Sequence, residues 1–200
     1  MKLRKSQKPI LAFNIAFLSC FTLLFLSREN YEFVLYIAVI TFFLILILLT
    51  NDKVNYPDDI LWGLSLWGFL HMTGGGIKVG GKIVYELILV DINKSYGIFR
   101  YDQFVHIVGF AVATLLMYHL IKPLLKDNIE KWTALSIVII MAGLGVGALN
   151  EIIEFAATVL VPETGVGGYI NTSLDLVADL IGAIIAMAII IRKEKTKHNA

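Results

Sequence analysis

The apolar residues of this chain are gathered into long blocks, and the length of those blocks limits what the chain can fold into. The first, Pro9 to Leu26, and the second, Tyr31 to Leu49, each approach the roughly 20 residues with which a helix crosses about 30 Å of hydrocarbon. Of the 200 residues, 58% are hydrophobic and only 16% are charged, which is too few charges for a water-soluble surface. The sequence therefore predicts an all-α, polytopic membrane helix bundle with the lipid bilayer as its partner.

Six membrane crossings are predicted, of which the first two form an N-terminal helical hairpin within residues 1–56. The motif-bearing core, residues 57–200, supplies the other four, which are Ile60 to Met72, Tyr101 to Ile121, Ala134 to about Val161, and Leu174 to Ile191. The third crossing is a short, broken or re-entrant segment, because Gly74 to Gly76 are expected to end its helix. The stretch that follows, up to Arg100, is predicted to be interfacial or re-entrant. Residues 1–200 are expected to form a single integral membrane domain.

The distribution of positive charge predicts the orientation. If the chain crosses six times, 12 of its 17 lysines and arginines fall on one side and 5 on the other. The positive-inside rule then places both termini in the cytoplasm, in a multi-pass protein of the cell membrane. The formal net charge is only +1, so no nucleic-acid partner is expected. Cys20 is the single cysteine, which excludes an internal disulfide and a zinc site built from cysteines.

Acidic residues and histidines interrupt the apolar segments at spacings that place them in pairs on one helical face. A charged side chain in hydrocarbon costs roughly 2.5 to 3.5 kcal/mol on insertion scales, so such residues are functional candidates. The pairs are three or four residues apart, and they are Asp102 with His106, Glu151 with Glu154, and Asp175 with Asp179. A further histidine, His71, directly precedes the glycines of the third segment.

The rise of about 1.5 Å per helical residue predicts that these pairs lie at a common depth. His106, Glu151 and Asp179 each fall in the outer third of the bilayer, and His71 lies closer to its middle. Carboxylates crowded into one pocket of low dielectric constant must share protons or bind a cation. Oxygen ligands with one or two imidazoles suit manganese, iron, zinc or magnesium, so a divalent metal ion of undetermined identity is expected. The predicted ligands are His71, Asp102, His106, Glu151, Glu154, Asp175 and Asp179.

Several of these residues also have a structural interpretation. Asp102 and Asp175, near predicted helix starts, are equally suited to N-capping, and His106 is equally suited to packing against a backbone carbonyl. A structural interpretation is weakest for Glu151, Glu154 and Asp179, because an unpaired carboxylate adds nothing to packing.

The glycines are predicted to have two uses. Gly143, Gly145, Gly147 and Gly182 supply small faces through which the last two helices approach closely. Gly74 to Gly76 are predicted to form turns.

Four motifs in a fixed order give the chain a family resemblance that covers about Trp62 to the end of the last span. They are Leu70-His71 before the glycines, Tyr101-Asp102 with His106, Gly147 with Asn150-Glu151 and Glu154, and Gly167 to Thr172 leading to Asp175, Asp179 and Gly182. By these motifs the chain resembles the YjdF-like bacterial inner-membrane proteins, which are related to the VanZ-like superfamily. The resemblance implies a six-helix membrane fold and, for VanZ-like members, an association with glycopeptide resistance. Asp179 stands where the VanZ-like pattern usually has an amide, which adds a negative charge.

The leading functional hypothesis is a polar, divalent-metal-binding site near the extracytoplasmic face that acts on a lipid-linked or cell-envelope substrate. In it, His106, Glu151 and Glu154 are the catalytic residues, by acid–base or metal-assisted chemistry. The first alternative is a proton- or cation-coupled transporter, which also needs buried acids. The second is a non-catalytic membrane subunit with a structural polar network. The sequence leaves open whether the chain is an enzyme, which substrate it meets and how it oligomerises.

Overall fold

The computed structural model describes residues 3–93, 98–125, 129 and 131–198, and nearly all of this chain is helical. The six long helices are α1 (Gln7–Ser27), α2 (Tyr31–Val54), α3 (Asp58–Gly76), α4 (Tyr101–Ile121), α5 (Trp132–Leu160) and α6 (Tyr169–His198). Two short strands, β1 (Lys78–Val79) and β2 (Lys82–Ile83), and single 3-10 turns at Val84–Glu86 and Lys122–Leu124 complete the described elements.

Five of the six helices are long and apolar enough to cross a membrane, which confirms the prediction of an all-α polytopic membrane protein. These candidate spans are Gln7–Ser27, Tyr31–Val54, Tyr101–Leu124, Trp132–Leu160 and Tyr169–Thr196. The exception is α3, which has 19 residues, begins with two aspartates and ends with three glycines. It is the shortest of the six helices, and it lacks the continuous apolar stretch that the other five contain.

The end of α3 differs from the prediction. The helix does not stop at Met72 but continues through the glycines to Gly76. A Cβ atom built on Gly75 would lie 1.8 Å from the Phe33 ring, and one on Gly74 would lie 2.7 Å from the Tyr85 ring. The prediction that these glycines form turns was therefore wrong, because they serve as contact positions where aromatic rings meet the helix backbone.

The connection after α3 folds into a compact hairpin. β1 pairs with β2 in antiparallel register, and Gly80 and Gly81 between them adopt positive φ angles of 59° and 85°, which glycine adopts without strain. Further on, Ile88 bridges Arg100, and the backbone N–H of Tyr101 donates to the carbonyl of Leu87 over 2.8 Å. The chain is thus hydrogen bonded back onto the first residue of α4. Residues 94–97, which include the predicted interfacial Lys94, lie outside the described residues.

The residues group into two compact units, Met1–Asp102 with Ile153–Val166, and Gln103–Ile152 with Gly167–Ala200. The core of the first unit is aromatic, with Phe25 and Phe33 stacked at 4.8 Å between ring centroids. The core of the second unit is formed by Tyr118, Ile139, Met187 and Ile190. The predicted close approach of α5 and α6 occurs at Gly147, where a Cβ would lie 2.1 Å from Asp179, but not at Gly145, where a Cβ would meet nothing within 4 Å. Gly182 packs against α4 and not against α5, because its Cβ would lie 2.4 Å from the carbonyl oxygen of Ile107.

Polar side chains tie the helices of the first unit together. Buried Gln7 of α1 and Asn51 of α2 exchange two amide hydrogen bonds of 3.2 and 3.0 Å. Near them, the guanidinium of Arg4 donates to the carboxylate of Asp58 over 2.6 Å. Polar bonds of this kind help to hold helices together in a bilayer. Lipid chains are as apolar as the helix side chains, so burying apolar surface between helices gives no hydrophobic driving force there.

Candidate functional site

A histidine and an aspartate from two different helices form a buried pair in the second unit. His106 of α4 is 5% exposed and Asp179 of α6 is fully buried, and 2.8 Å separates the imidazole Nδ1 from the carboxylate Oδ1. A Cβ on Gly147 of α5 would lie 2.1 Å from Asp179 Oδ2, so only glycine lets α5 approach the carboxylate this closely. Sequence spacing predicted polar faces on these helices, and the fold brings the two faces into contact.

Asp175, one turn before Asp179 in α6, has a different environment. Its carboxylate is fully buried, and each oxygen accepts a hydrogen bond from an amide. Gln103 Nε2 donates to Oδ1 over 2.6 Å, and Asn171 Nδ2 donates to Oδ2 over 2.5 Å. Both oxygens of this carboxylate therefore have a hydrogen-bond donor, and neither donor carries a positive charge.

Glu151 of α5 brings a second acidic group to His106. One ligand atom of Glu151 and one of the imidazole lie within 4.8 Å of each other, and the same limit holds between His106 and Asp175. Asn150 and Thr172 lie close enough to hydrogen bond the Glu151 carboxylate. Its Oε1 atom is nevertheless buried with no hydrogen-bond partner among the described residues. A buried carboxylate oxygen in that state favours a proton or a cation beside it.

Asp102 and Glu154 are the remaining predicted acids of α4 and α5. Asp102 precedes His106 by one turn of α4, and Glu154 follows Glu151 by one turn of α5, as the spacing predicted. Both residues belong to the first unit, as does Tyr85. Burial raises the pKa of the Tyr85 hydroxyl well above its usual value, and the carboxylates of Asp102 and Glu154 raise it further. Tyr85 therefore keeps its proton at any physiological pH.

His71, predicted as a metal ligand, lies in the first unit among aromatic rings. Its Nδ1 atom is hydrogen bonded with the Tyr85 hydroxyl at 2.5 Å, and the Trp67 ring stacks on the imidazole at 5.7 Å between centroids. Within the described residues, no group of three close His, Cys, Asp or Glu ligand atoms includes His71. The histidine and acidic groups that are close enough to hold a metal ion are those around His106.

Two features of these clusters were not predicted. Gln103, whose amide donates to Asp175, was overlooked because a neutral side chain beside Asp102 gives no charge signal. Glu32 was also overlooked, although an acidic residue at the second position of a 24-residue apolar helix is a signal. Its buried carboxylate accepts from Gly165 N over 2.6 Å and from the Tyr36 hydroxyl over 3.2 Å, so it anchors the α5–α6 connection within the first unit.

The chain is similar to a family of membrane proteins. The model of the family described as "Predicted membrane protein (DUF2238)" matches residues 9–196, which is nearly the whole chain. No curated protein and no solved structure matches the chain.

Proposed function

The chain belongs to this family of predicted membrane proteins, DUF2238, and from that membership and the cluster around His106 we propose a metal-binding membrane enzyme. In the proposal, His106 and Glu151 bind a divalent cation close to the extracytoplasmic ends of α4 and α5. The site acts on a lipid-linked or cell-envelope substrate by acid–base or metal-assisted chemistry. The finer relation to YjdF-like and VanZ-like proteins is part of the same proposal.

The observation that carries the proposal is the hydrogen bond between His106 Nδ1 and Asp179. A carboxylate bonded to one ring nitrogen fixes the tautomer and orientation of the imidazole, so that Nε2 serves as the metal ligand or proton acceptor. A carboxylate oxygen of Glu151 lies within 4.8 Å of a nitrogen of the same imidazole, so both could contact one ion. The buried Oε1 atom of Glu151 lacks a hydrogen-bond donor among the described residues. The proposal therefore takes one nitrogen ligand from α4 and one carboxylate ligand from α5.

The two aspartates of α6 then have separate roles. Asp179 orients the imidazole of His106, and Asp175 contributes negative charge while Gln103 and Asn171 occupy its oxygens. Asp102 and Glu154 remain predicted ligands, each one turn from a central residue along its own helix. Glu154 is also retained as a predicted catalytic acid or base, beside Glu151.

Charge in the second unit favours a cation over an anion. Three carboxylates lie around His106, whereas the described lysines and arginines of this unit are at the opposite helix ends or beyond them, and they are Lys122, Lys131, Arg192, Lys193, Lys195 and Lys197. An anionic substrate group would therefore be repelled unless a cation lay beside it. One imidazole with carboxylate oxygens suits zinc, manganese or iron(II) better than magnesium, which prefers an all-oxygen shell. When bound, such an ion would lower the pKa of a coordinated water.

The transporter alternative expects polar side chains along the whole length of the helices. In the described part of the second unit, two buried side chains beyond Asp179 carry a polar group, and both are hydroxyls of α4. They are Thr114, whose hydroxyl donates to a carbonyl of its own helix, and Tyr118. At the far end, Lys122 pairs with Glu194. A site at one end of the helices is the arrangement that an enzyme of membrane-bound substrates uses, which is why we favour it.

Metal analysis of the detergent-purified protein tests the proposal. We expect wild-type protein to retain about one zinc, manganese or iron ion per chain, and the His106→Ala/Glu151→Gln variant to retain almost none. Asp179→Asn keeps the shape of the side chain but removes the charge that orients His106, and we expect it to bind metal roughly 10- to 100-fold more weakly. His119→Ala, at the other end of α4, is the matched control and should bind as wild type does. Equal, negligible metal in all four proteins would rule the metalloenzyme out.

A further inference from the structure

The connection between α3 and α4 exposes more aliphatic surface than a loop in water normally does. Six large aliphatic side chains within the 16 residues from Ile77 to Ile92 are between 44% and 64% exposed. They are Ile77, Val79, Ile88, Leu89, Val90 and Ile92. Single exposed aliphatic residues are ordinary, but a concentration of this kind marks a surface that contacts something apolar.

The exposure of these side chains matches that of the membrane-crossing helices of the same unit. The large exposed side chains of α2, which is long and apolar enough to lie in lipid, are 40% to 70% exposed, and they are Phe42, Phe43, Ile45, Leu46 and Leu49. The aliphatic residues of the connection thus have the exposure that is characteristic of lipid-facing positions in this protein.

Hydrogen bonds hold the connection at the level of the helix ends. Ile77 N–H donates to the carbonyl of Thr73 in α3, and Val84 N–H donates back to Ile77, each over 3.0 Å. At the other end, Leu87 accepts from Tyr101, the first residue of α4. In addition, the Tyr85 ring packs against Gly74. The described part of the connection is therefore fixed close to the plane in which α4 enters the membrane.

We propose that the connection Ile77–Asn93 is an interfacial anchor that inserts its aliphatic side chains into the outer leaflet of the bilayer. Insertion places Ile88, Leu89 and Val90 among the acyl chains near the headgroups. Lys78 and Lys82 are long enough to reach the headgroup region while their stems stay in apolar surroundings. This membrane contact is independent of the proposed metal site.

The charges of the anchor predict how it recognises lipid. Across the whole connection, residues 77–100, the sequence has four basic residues, Lys78, Lys82, Lys94 and Arg100, and two acids, Glu86 and Asp91, which gives a net charge of +2. This small excess of positive charge adds a modest attraction to anionic headgroups. Insertion should therefore occur already in zwitterionic bilayers, through the apolar side chains, and be somewhat stronger in anionic ones.

Spin labels on single cysteines test the anchor. With Cys20→Ser as background, nitroxides are attached to Ile88→Cys and Val90→Cys in phosphatidylcholine nanodiscs, and their collisions with oxygen and with a water-soluble nickel chelate are compared. We expect oxygen to dominate at both positions, as at the lipid-facing control Leu49→Cys, and nickel to dominate at the exposed connection residue Glu163→Cys.

Nickel accessibility at Ile88 and Val90 equal to that at Glu163 would overturn the proposal, and would point instead to a partner protein on this surface. Insertion that appears only when phosphatidylglycerol is added would overturn the apolar basis of recognition. Each variant is accepted only if it elutes and unfolds as the background protein does, and Leu89→Cys replaces either position that fails this criterion.

Discussion

Asp175 and Asp179 show how much two residues of one type on one helical face can differ. They lie one turn apart in α6 and both are fully buried. Amide groups from Gln103 and Asn171 occupy the first carboxylate, whereas the imidazole of His106 bonds to the second. The proposal therefore gives a charge-setting role to Asp175 and an orienting role to Asp179, a difference that their shared spacing cannot predict.

Asp58 gives a residue-scale prediction for pH. Hydrogen bonds from Ser6 and Arg4 lower the pKa of its carboxyl below the usual 3.8. Because the native state then binds fewer protons than the unfolded state, the stabilisation is present above pH 3.8 and is lost as pH falls through the lowered pKa. We expect the stability of the detergent-solubilised protein to fall in this range by less than about 1 kcal/mol on account of Asp58, because the pair is exposed and screened.

The measurement is chemical unfolding between pH 2.5 and 6, with Asp58→Asn compared against wild type. Asp58→Asn should lose this component of the acid dependence, and Asp59→Asn, its neighbour in the first turn of α3, should keep it. Identical pH profiles for wild type and Asp58→Asn would contradict the prediction.

At the scale of elements, helix positions follow from the sequence better than helix ends do. α4 begins and ends where the apolar pattern predicts, at Tyr101 and Ile121. α6 begins at Tyr169, five residues before the predicted Leu174, because its first turns are polar. Ser173 there returns a hydrogen bond to the Tyr169 carbonyl within the helix. Hydropathy finds the part of a helix that lies in lipid and misses the part that extends beyond it.

Two glycines of α5 give an element-scale prediction as a matched pair. A Cβ at Gly143 would lie 1.9 Å from the hydroxyl of Thr114, whereas a Cβ at Gly145 would meet nothing within 4 Å. We expect Gly143→Ala to destabilise the protein by about 1–3 kcal/mol through overpacking. Gly145→Ala should be neutral or stabilising by up to about 1 kcal/mol, because alanine favours the helix.

Thermal unfolding in one detergent measures the stability of both variants. Adding Thr114→Ala to Gly143→Ala should recover part of the lost stability, because it removes the hydroxyl that clashes with the new Cβ. Equal effects of the two glycine substitutions would show that α5 is not closely packed at Gly143.

For the whole molecule, the membrane topology depends on α3, the one long helix in the described residues that lacks a continuous apolar stretch of membrane-spanning length. If only the five apolar helices cross, the 17 lysines and arginines divide nine to eight between the two sides. If α3 crosses as well, they divide twelve to five. Its 19 residues extend about 28 Å, close to the hydrocarbon thickness. The positive-inside rule therefore favours six crossings with both termini cytoplasmic.

Single cysteines in the Cys20→Ser background test this topology with a membrane-impermeant maleimide on intact cells. We expect Lys82→Cys and Glu163→Cys to react from outside, and Lys5→Cys and Lys193→Cys to react only after lysis. Five crossings would instead put Lys5 and Lys193 on opposite sides and Lys82 on the same side as Lys5. That labelling pattern would refute the crossing of α3.

The membrane class, the helices and the pairing of polar residues on helix faces could be predicted from the amino-acid sequence. These features depend on periodicity and hydropathy, which are local properties of the chain. The three-dimensional fold was needed to show which amide or imidazole meets each carboxylate, that Glu32 accepts a hydrogen bond from Gly165, and that the Phe33 ring packs on Gly75. The physical reason is that these contacts join residues distant in sequence, and the close packing of several helices at once sets them.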